Sequence, residues 1–131
     1  MFTIADIQAA ESKIKSGEDF PQFIEEIKEL GVVRNDVYVS NGLSVYFDDA
    51  DNVQQFSPDE YPELIINAES SKEKLAHALE IHQQGKTDYF TFCKQAADAG
   101  VEKWITDIKA MTCTYLDAEG NELVLEEIPK T

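Results

Sequence analysis

The chain has 131 residues and a formal net charge of −15, and 43% of its residues are hydrophobic. This length fits one domain that buries roughly two-thirds of the surface its unfolded chain exposes, and the composition excludes intrinsic disorder. The eleven Lys and Arg residues are scattered along the chain, so direct nucleic-acid binding is not expected. No run of about 18 apolar residues is present, so no membrane partner is expected either.

The cysteine usage favours the cytoplasm. Only two cysteines, Cys93 and Cys113, are present, and both fall within apolar patterns. This predicts reduced, buried thiols and not a disulfide framework. The first residues contain no basic group and reach an acid at Asp6, which does not match a secretory signal. We therefore expect a soluble, cytoplasmic protein.

Four amphipathic helices are predicted in two pairs, from apolar residues at helical spacing. Thr3, Asp19 and Asp88 have the chemistry and position of helix N-caps, and glycines follow three of the helices. The predicted helices cover about 4–15, 20–30, 70–84 and 89–99.

Each helix pair is followed by segments predicted to be strands. The apolar runs 37–39 and 43–47 flank Asn41-Gly42, a hairpin sequence in which both turn residues tolerate positive φ. Further strands are predicted at about 53–56, 64–66, 103–108, 111–116 and 122–128. The order of elements predicts an α+β fold in which helices pack on antiparallel sheet.

The second half of the chain echoes the first when the numbering is shifted by 69 residues. The aligned pairs are Asp19 with Asp88, Phe20 with Tyr89, Phe23 with Phe92, Gly31 with Gly100, Tyr46 with Tyr115, Asp48 with Asp117 and Asn52 with Asn121. The leading helices align with a shift of 71. We therefore predict an internal duplication of two αα-βββ halves, about 1–68 and 69–131, within a single domain. The halves should share one core, because each is too small to bury much surface alone.

Chemistry-bearing residues concentrate between His82 and Cys93. His82 continues the apolar stripe of its helix, which favours a partly buried structural histidine near a helix C-terminus. The functional alternative is a base or ligand beside Gln83. Cys93 lies in a core stripe and would behave as a small hydrophobe, although a tight loop at Gly85 would allow a Cys93–His82 dyad. The candidate ligand-binding residues are His82, Gln83, Asp88, Tyr89, Cys93 and Trp104.

No metal site, cofactor or catalytic residue is predicted. His77 and His82 lie five residues apart, so they do not share a helix face. The acidic loop 48–52 continues into Val53 and Gln54, where a calcium loop needs a ligand and a glycine. Walker, dinucleotide and nucleophile-elbow motifs do not occur. The single Trp104 is typical of a core position, whereas exposure on a concave sheet would indicate a ligand face.

Four stretches resemble the YbcV-like family, a bacterial family of unknown function often labelled "phage envelope protein". They are IHQQGKTDY at 81–89, FC at 92–93, GVEKW at 100–104 and MTCTY at 111–115. The resemblance extends over nearly the whole chain and implies a compact single-domain α+β fold. It brings no catalytic residues. Leu116 departs from the pattern, where a second aromatic residue is expected.

Three functions fit these observations. The first is a non-catalytic binding or interaction module that acts through a protein partner or self-association, which an exposed apolar patch would favour. The second is a small-ligand-binding protein or enzyme with a site around His82, Tyr89 and Cys93, which a pocket at His82 would favour. The third is an acidic decoy of phage origin that imitates DNA, which needs carboxylates spaced like phosphates along one face.

Overall fold

The computed structural model describes residues 2–14, 17–50, 52–58 and 61–128. Its helices are α1 (Ile4–Glu11), α2 (Phe20–Glu29), α3 (Lys72–Gln83) and α4 (Tyr89–Asp98), with a 3-10 turn at Gly17–Asp19. Its strands are β1 (Val32–Tyr38), β2 (Ser44–Asp48), β3 (Val53–Phe56), β4 (Val101–Asp107), β5 (Thr112–Asp117) and β6 (Glu122–Glu127). Among these helices, none has the length and apolar character needed to cross a membrane.

The six strands form one antiparallel sheet in the order β3-β2-β1-β4-β5-β6. The first strand of each half lies at the centre, so the two halves share one continuous sheet. Helix α1 packs against β3, α2 against β1, α4 against β4 and α3 against β6. The predicted α+β fold, with helices packed on antiparallel sheet around one core, is confirmed.

The predicted strand at 64–66 is wrong. This segment has irregular backbone, and the Leu64 amide donates to the Ser40 carbonyl at 2.8 Å, outside any ladder. Ile65 is 91% exposed between two half-buried neighbours. A three-residue apolar run carries too little pattern to separate a strand from a loop that packs against the core.

Several element bounds also differ from prediction. Helix α1 ends at Glu11 because, after Ser12, the amides of Lys13 and Ile14 donate to carbonyls three residues back and not four. Lys15, the predicted end of this helix, lies outside the described residues. Strands β1 and β4 start earlier than predicted, directly after the left-handed glycines Gly31 and Gly100.

The strand register repeats with the same 69-residue shift as the sequence. At the centre of the sheet, Arg34 pairs with Asp107 and Tyr38 pairs with Lys103. The shift converts the first of these pairs into the second, so the β1–β4 ladder is symmetric about its middle. This symmetry favours the predicted duplication, which stays a prediction.

The turns at the two ends of the sheet are closed in the same way. Asp48 Oδ1 accepts from the Asn52 amide at 2.9 Å, and Asp117 Oδ1 accepts from the Asn121 amide at 2.8 Å. The asparagine bonds hold the pKa of both aspartates below the ordinary range. The acidic loop 48–52 is therefore a hydrogen-bonded turn, and its Asp51 lies outside the described residues.

The two faces of the sheet differ in character. Alternate strand residues that face the helices are buried: Asn35, Val37, Tyr46, Trp104, Thr106, Cys113 and Tyr115. The opposite face carries half-buried apolar side chains and the Arg34–Asp36 pair, joined by two hydrogen bonds of 2.7 Å. The core therefore lies entirely between the helices and one sheet face.

Equivalent glycines at the ends of the two helix pairs provide a matched stability test. Gly31 and Gly100 have φ of +100° and +88°. A Cβ at position 100 would lie 2.7 Å from Ser70 Cα, whereas one at position 31 would meet nothing within 4 Å. We expect Gly31→Ala to cost about 1–2 kcal/mol through φ alone, and Gly100→Ala about 1–3 kcal/mol more through the forced shift of backbone. Urea unfolding measures both; equal losses would contradict the close contact.

Candidate functional site

A pocket of about 380 Å³ lies between α3, α4 and the three strands β4, β5 and β6. Strands β4 and β5 contribute Trp104 and Tyr115, which are directly paired across the ladder. Helix α4 contributes Tyr89 and Phe92. Phe20, at the start of α2, closes the pocket from the first half of the chain. The pocket is therefore built by both halves.

Five ring contacts organise the pocket wall. Phe92 stacks on His82 with ring centroids 4.7 Å apart, and its centroid lies 5.7 Å from that of Trp104 and 6.5 Å from that of Tyr115. Trp104 is also 5.8 Å from Tyr115 and 6.3 Å from Tyr89. Trp104 is only 5% exposed, whereas Tyr89 is 49% exposed. The buried rings form a fixed wall, and Tyr89 forms the accessible side of the pocket.

His82 is a neutral hydrogen-bonding group in this wall. Its Nδ1 lies 3.1 Å from the Thr87 carbonyl oxygen and 3.2 Å from Thr87 Oγ1. A carbonyl oxygen only accepts, so Nδ1 carries the proton and Nε2 is left as the acceptor. Burial lowers the pKa of His82. The histidine is partly buried as predicted, but burial favours its neutral form over the cation that would suit the helix end.

Glu126 and Gln83 form the polar end of the pocket. Gln83 Nε2 donates to both carboxylate oxygens of Glu126, at 3.2 and 3.0 Å. Glu126 lies on the helix-facing side of β6, opposite Cys113. Two further carboxylates, Glu18 and Glu127, also line the pocket, and no Lys or Arg is among the described residues that line it.

The cysteines are buried and poorly suited to nucleophilic chemistry. Burial raises the pKa of both thiols to about 11, so at neutral pH they are protonated. Cys93 lies beside the hydroxyls of Tyr61 and Tyr89, whereas His82 bonds to Thr87, so the geometry gives no Cys93–His82 dyad. Cys113 lines the pocket, and its sulfur lies 3.6 Å from the Thr106 hydroxyl, which donates to it.

Four of the six candidate residues meet at the pocket: His82, Gln83, Tyr89 and Trp104. The other two do not line it. Asp88 caps α4, with Oδ1 accepting from the Thr91 amide at 2.7 Å. Cys93 packs in the core. In the part of the chain that the structure describes, no group of three or more His, Cys, Asp and Glu side chains could hold a metal ion.

Sequence reasoning missed several lining residues, among them Phe20, Phe92, Tyr115 and Glu126. The three aromatics follow core periodicity, which does not separate a pocket wall from a packed core. The sequence did contain a signal for Glu126. This residue alternates with Val124 and Ile128, so it is an acid at an inward position of a strand, which is uncommon unless the acid has a partner or a role.

The thiol chemistry can be tested with Ellman's reagent at about pH 8. A pKa near 11 leaves about 100-fold less thiolate than an ordinary cysteine, and burial restricts access further. We expect both thiols to react only on unfolding, with Cys93→Ala and Cys113→Ala assigning each phase. Fast labelling of one thiol in the folded protein would contradict the buried placement.

The lowered pKa of His82 has a consequence for stability. In the unfolded chain, His82 keeps its ordinary pKa of 6.5. Between this value and the lower pKa of the folded protein, the unfolded chain therefore binds more protons than the folded one. The contribution of neutral His82 to stability is therefore complete above the pKa that His82 has in the unfolded chain. It is lost as the pH falls through the lower pKa of the folded protein. From about pH 7.5 to about pH 5.5, the free energy of unfolding should fall, and it should fall less in His82→Gln.

Urea unfolding at both pH values measures this difference. Burial raises the pKa of Glu11, which acts in the opposite direction, but this contribution is common to both proteins. Equal pH dependence in the two proteins would show that His82 is not buried as a neutral group.

Comparison with known proteins gives a family without an activity. No curated protein matches the chain. A family model described as "Protein of unknown function (DUF1398)" matches residues 8–127. The expected membership in a family of unknown function is therefore supported, while the YbcV-like name and the phage label stay predictions. The chain belongs to the DUF1398 family of proteins of unknown function.

Proposed function

We propose that this protein is a non-catalytic binding protein that holds a small molecule in the aromatic pocket. The supporting observation is a formed pocket of about 380 Å³ whose wall contains five aromatic side chains and few polar groups. Ligand sites typically measure roughly 300–1,000 Å³ and combine an apolar lining with a few convergent polar groups. Here Gln83, Glu126 and His82 supply those polar groups.

The chemistry of the pocket supports binding over catalysis. A covalent mechanism needs an activated nucleophile beside a base. Burial raises the pKa of the pocket thiol, Cys113, to about 11. Its polar neighbours are the Tyr115 and Thr106 hydroxyls and the Glu126 carboxylate, whose negative charge raises this pKa further. The imidazole of His82 is oriented by Thr87 but faces no paired nucleophile among the described contacts. We infer a cytoplasmic location from the two reduced thiols.

The other two candidate functions have less support. An interaction module that binds a protein partner or a second copy is favoured by Ile65, which is 91% exposed, although a single side chain makes a small patch. A DNA-like decoy needs a row of uncompensated carboxylates. On the open sheet face, Arg34 pairs with Asp36 at 2.7 Å and Lys103 lies over the Tyr38 ring, so cations interrupt the acids there.

The proposed binding can be measured through Trp104, because it is the only tryptophan in the chain and lies in the pocket wall. We expect tert-butylbenzene, a small neutral probe, to change Trp104 emission in a saturable way. Native mass spectrometry of the purified protein should show at most one probe, or one co-purified molecule, per chain.

Two neighbouring residues make a matched pair of variants. Tyr89→Leu removes an accessible ring from the pocket and should weaken probe binding about three- to tenfold. Asp88→Ala removes the helix cap and a negative charge near His82. It should cost about 1 kcal/mol of stability and leave the affinity for this neutral probe unchanged, because Asp88 does not line the pocket. A protein that shows no saturable response, or an Asp88→Ala effect as large as that of Tyr89→Leu, would contradict the proposed site.

A further inference from the structure

We propose that the pocket selects organic cations, with the ligand's ammonium group held over the aromatic rings and within reach of Glu126. This inference rests on the proposed function, since it names the class of ligand that the same pocket would take. A tertiary or quaternary amine with a small apolar body fits the chemistry of the lining.

The charges that line the pocket have one sign. The described lining residues include the carboxylates of Glu126 and Glu127, and no Lys or Arg. His82 is partly buried, and burial lowers its pKa, so the ring adds no positive charge at neutral pH. An anionic ligand would therefore be repelled, and a cation would be attracted.

The aromatic wall is suited to the same kind of ligand. The faces of aromatic rings carry negative potential and attract a cation that lies within about 6 Å of the ring centroid. Phe92, Trp104 and Tyr115 have centroids 5.7–6.5 Å from one another, so one cation can approach more than one ring. Tyr89, the accessible ring, lies 6.3 Å from Trp104 at an interplanar angle of 80°.

Glu126 is held in the pocket by a neighbouring amide. Gln83 Nε2 donates to both of its oxygens, at 3.2 and 3.0 Å, and so orients the group without neutralising it. None of the ion pairs formed between described residues uses Glu126. A half-buried acid that has an amide neighbour, and no ion-pair partner among the described residues, is available to a ligand.

Two probes of the same shape test the inference. Phenyltrimethylammonium and tert-butylbenzene differ only in a positively charged nitrogen in place of a carbon. We expect Trp104 fluorescence titration to give an affinity at least about tenfold higher for the cation. Glu126→Gln keeps the shape of the side chain and one oxygen that can accept from Gln83, but it removes the negative charge. It should lower the affinity for phenyltrimethylammonium about tenfold and change the affinity for tert-butylbenzene by less than about twofold.

Glu122→Gln is the matched control, because it removes one negative charge from an exposed position of the same strand that does not line the pocket. It should leave both affinities unchanged, and far-UV circular dichroism should show that both variants fold. Equal affinities for the two probes, or equal effects of the two variants, would overturn cation selection while leaving the pocket as a binding site. Binding of neither probe would overturn the proposed function itself.

Discussion

The antiparallel pairing of β1 with β4 is the interaction on which the rest of the structure depends. It joins the two halves at the centre of the sheet, from the Arg34–Asp107 pair to the Tyr38–Lys103 pair, and so allows two units that would each bury little surface alone to share one core. It also places the start of α2, in the first half, against the helices and strands of the second half. Phe20 reaches the pocket because of this arrangement.

The halves share a plan but differ where the pocket lies. By the shifts that align the halves, Trp104 corresponds to Asn35, Tyr115 to Tyr46, and His82 to Glu11. In the first half, Asn35 Nδ2 donates to the Val45 carbonyl at 3.0 Å, and the Tyr46 hydroxyl lies 3.3 Å from Glu11 Oε1. Polar groups there bond to one another, whereas the second half has rings around open space. The difference between the halves, and not the common plan, therefore carries the candidate function.

Helix periodicity, capping residues and the Asn41-Gly42 turn made the helices, most strands and the two-half plan predictable from the sequence. The segment 64–66 was not, because three apolar residues fit a strand and a packed loop equally well. Within the site, accessible and polar residues such as His82 and Tyr89 were predicted from their side-chain chemistry. Phe92 and Tyr115 were not, because a pocket wall and a packed core have the same periodicity. Their role appears only when β4 pairs with β5 and α4 packs against β4.

The acidity of the chain acts at two levels. A net charge of −15 raises the local concentration of any cation without specifying which one. Selection needs a short-range contact, because salt screens exposed charges beyond roughly 8–10 Å. Glu126 meets that need, since it is half-buried, is oriented by Gln83 and stands beside aromatic rings. The surface charge would thus act on the rate of encounter, and the pocket on the identity of the ligand.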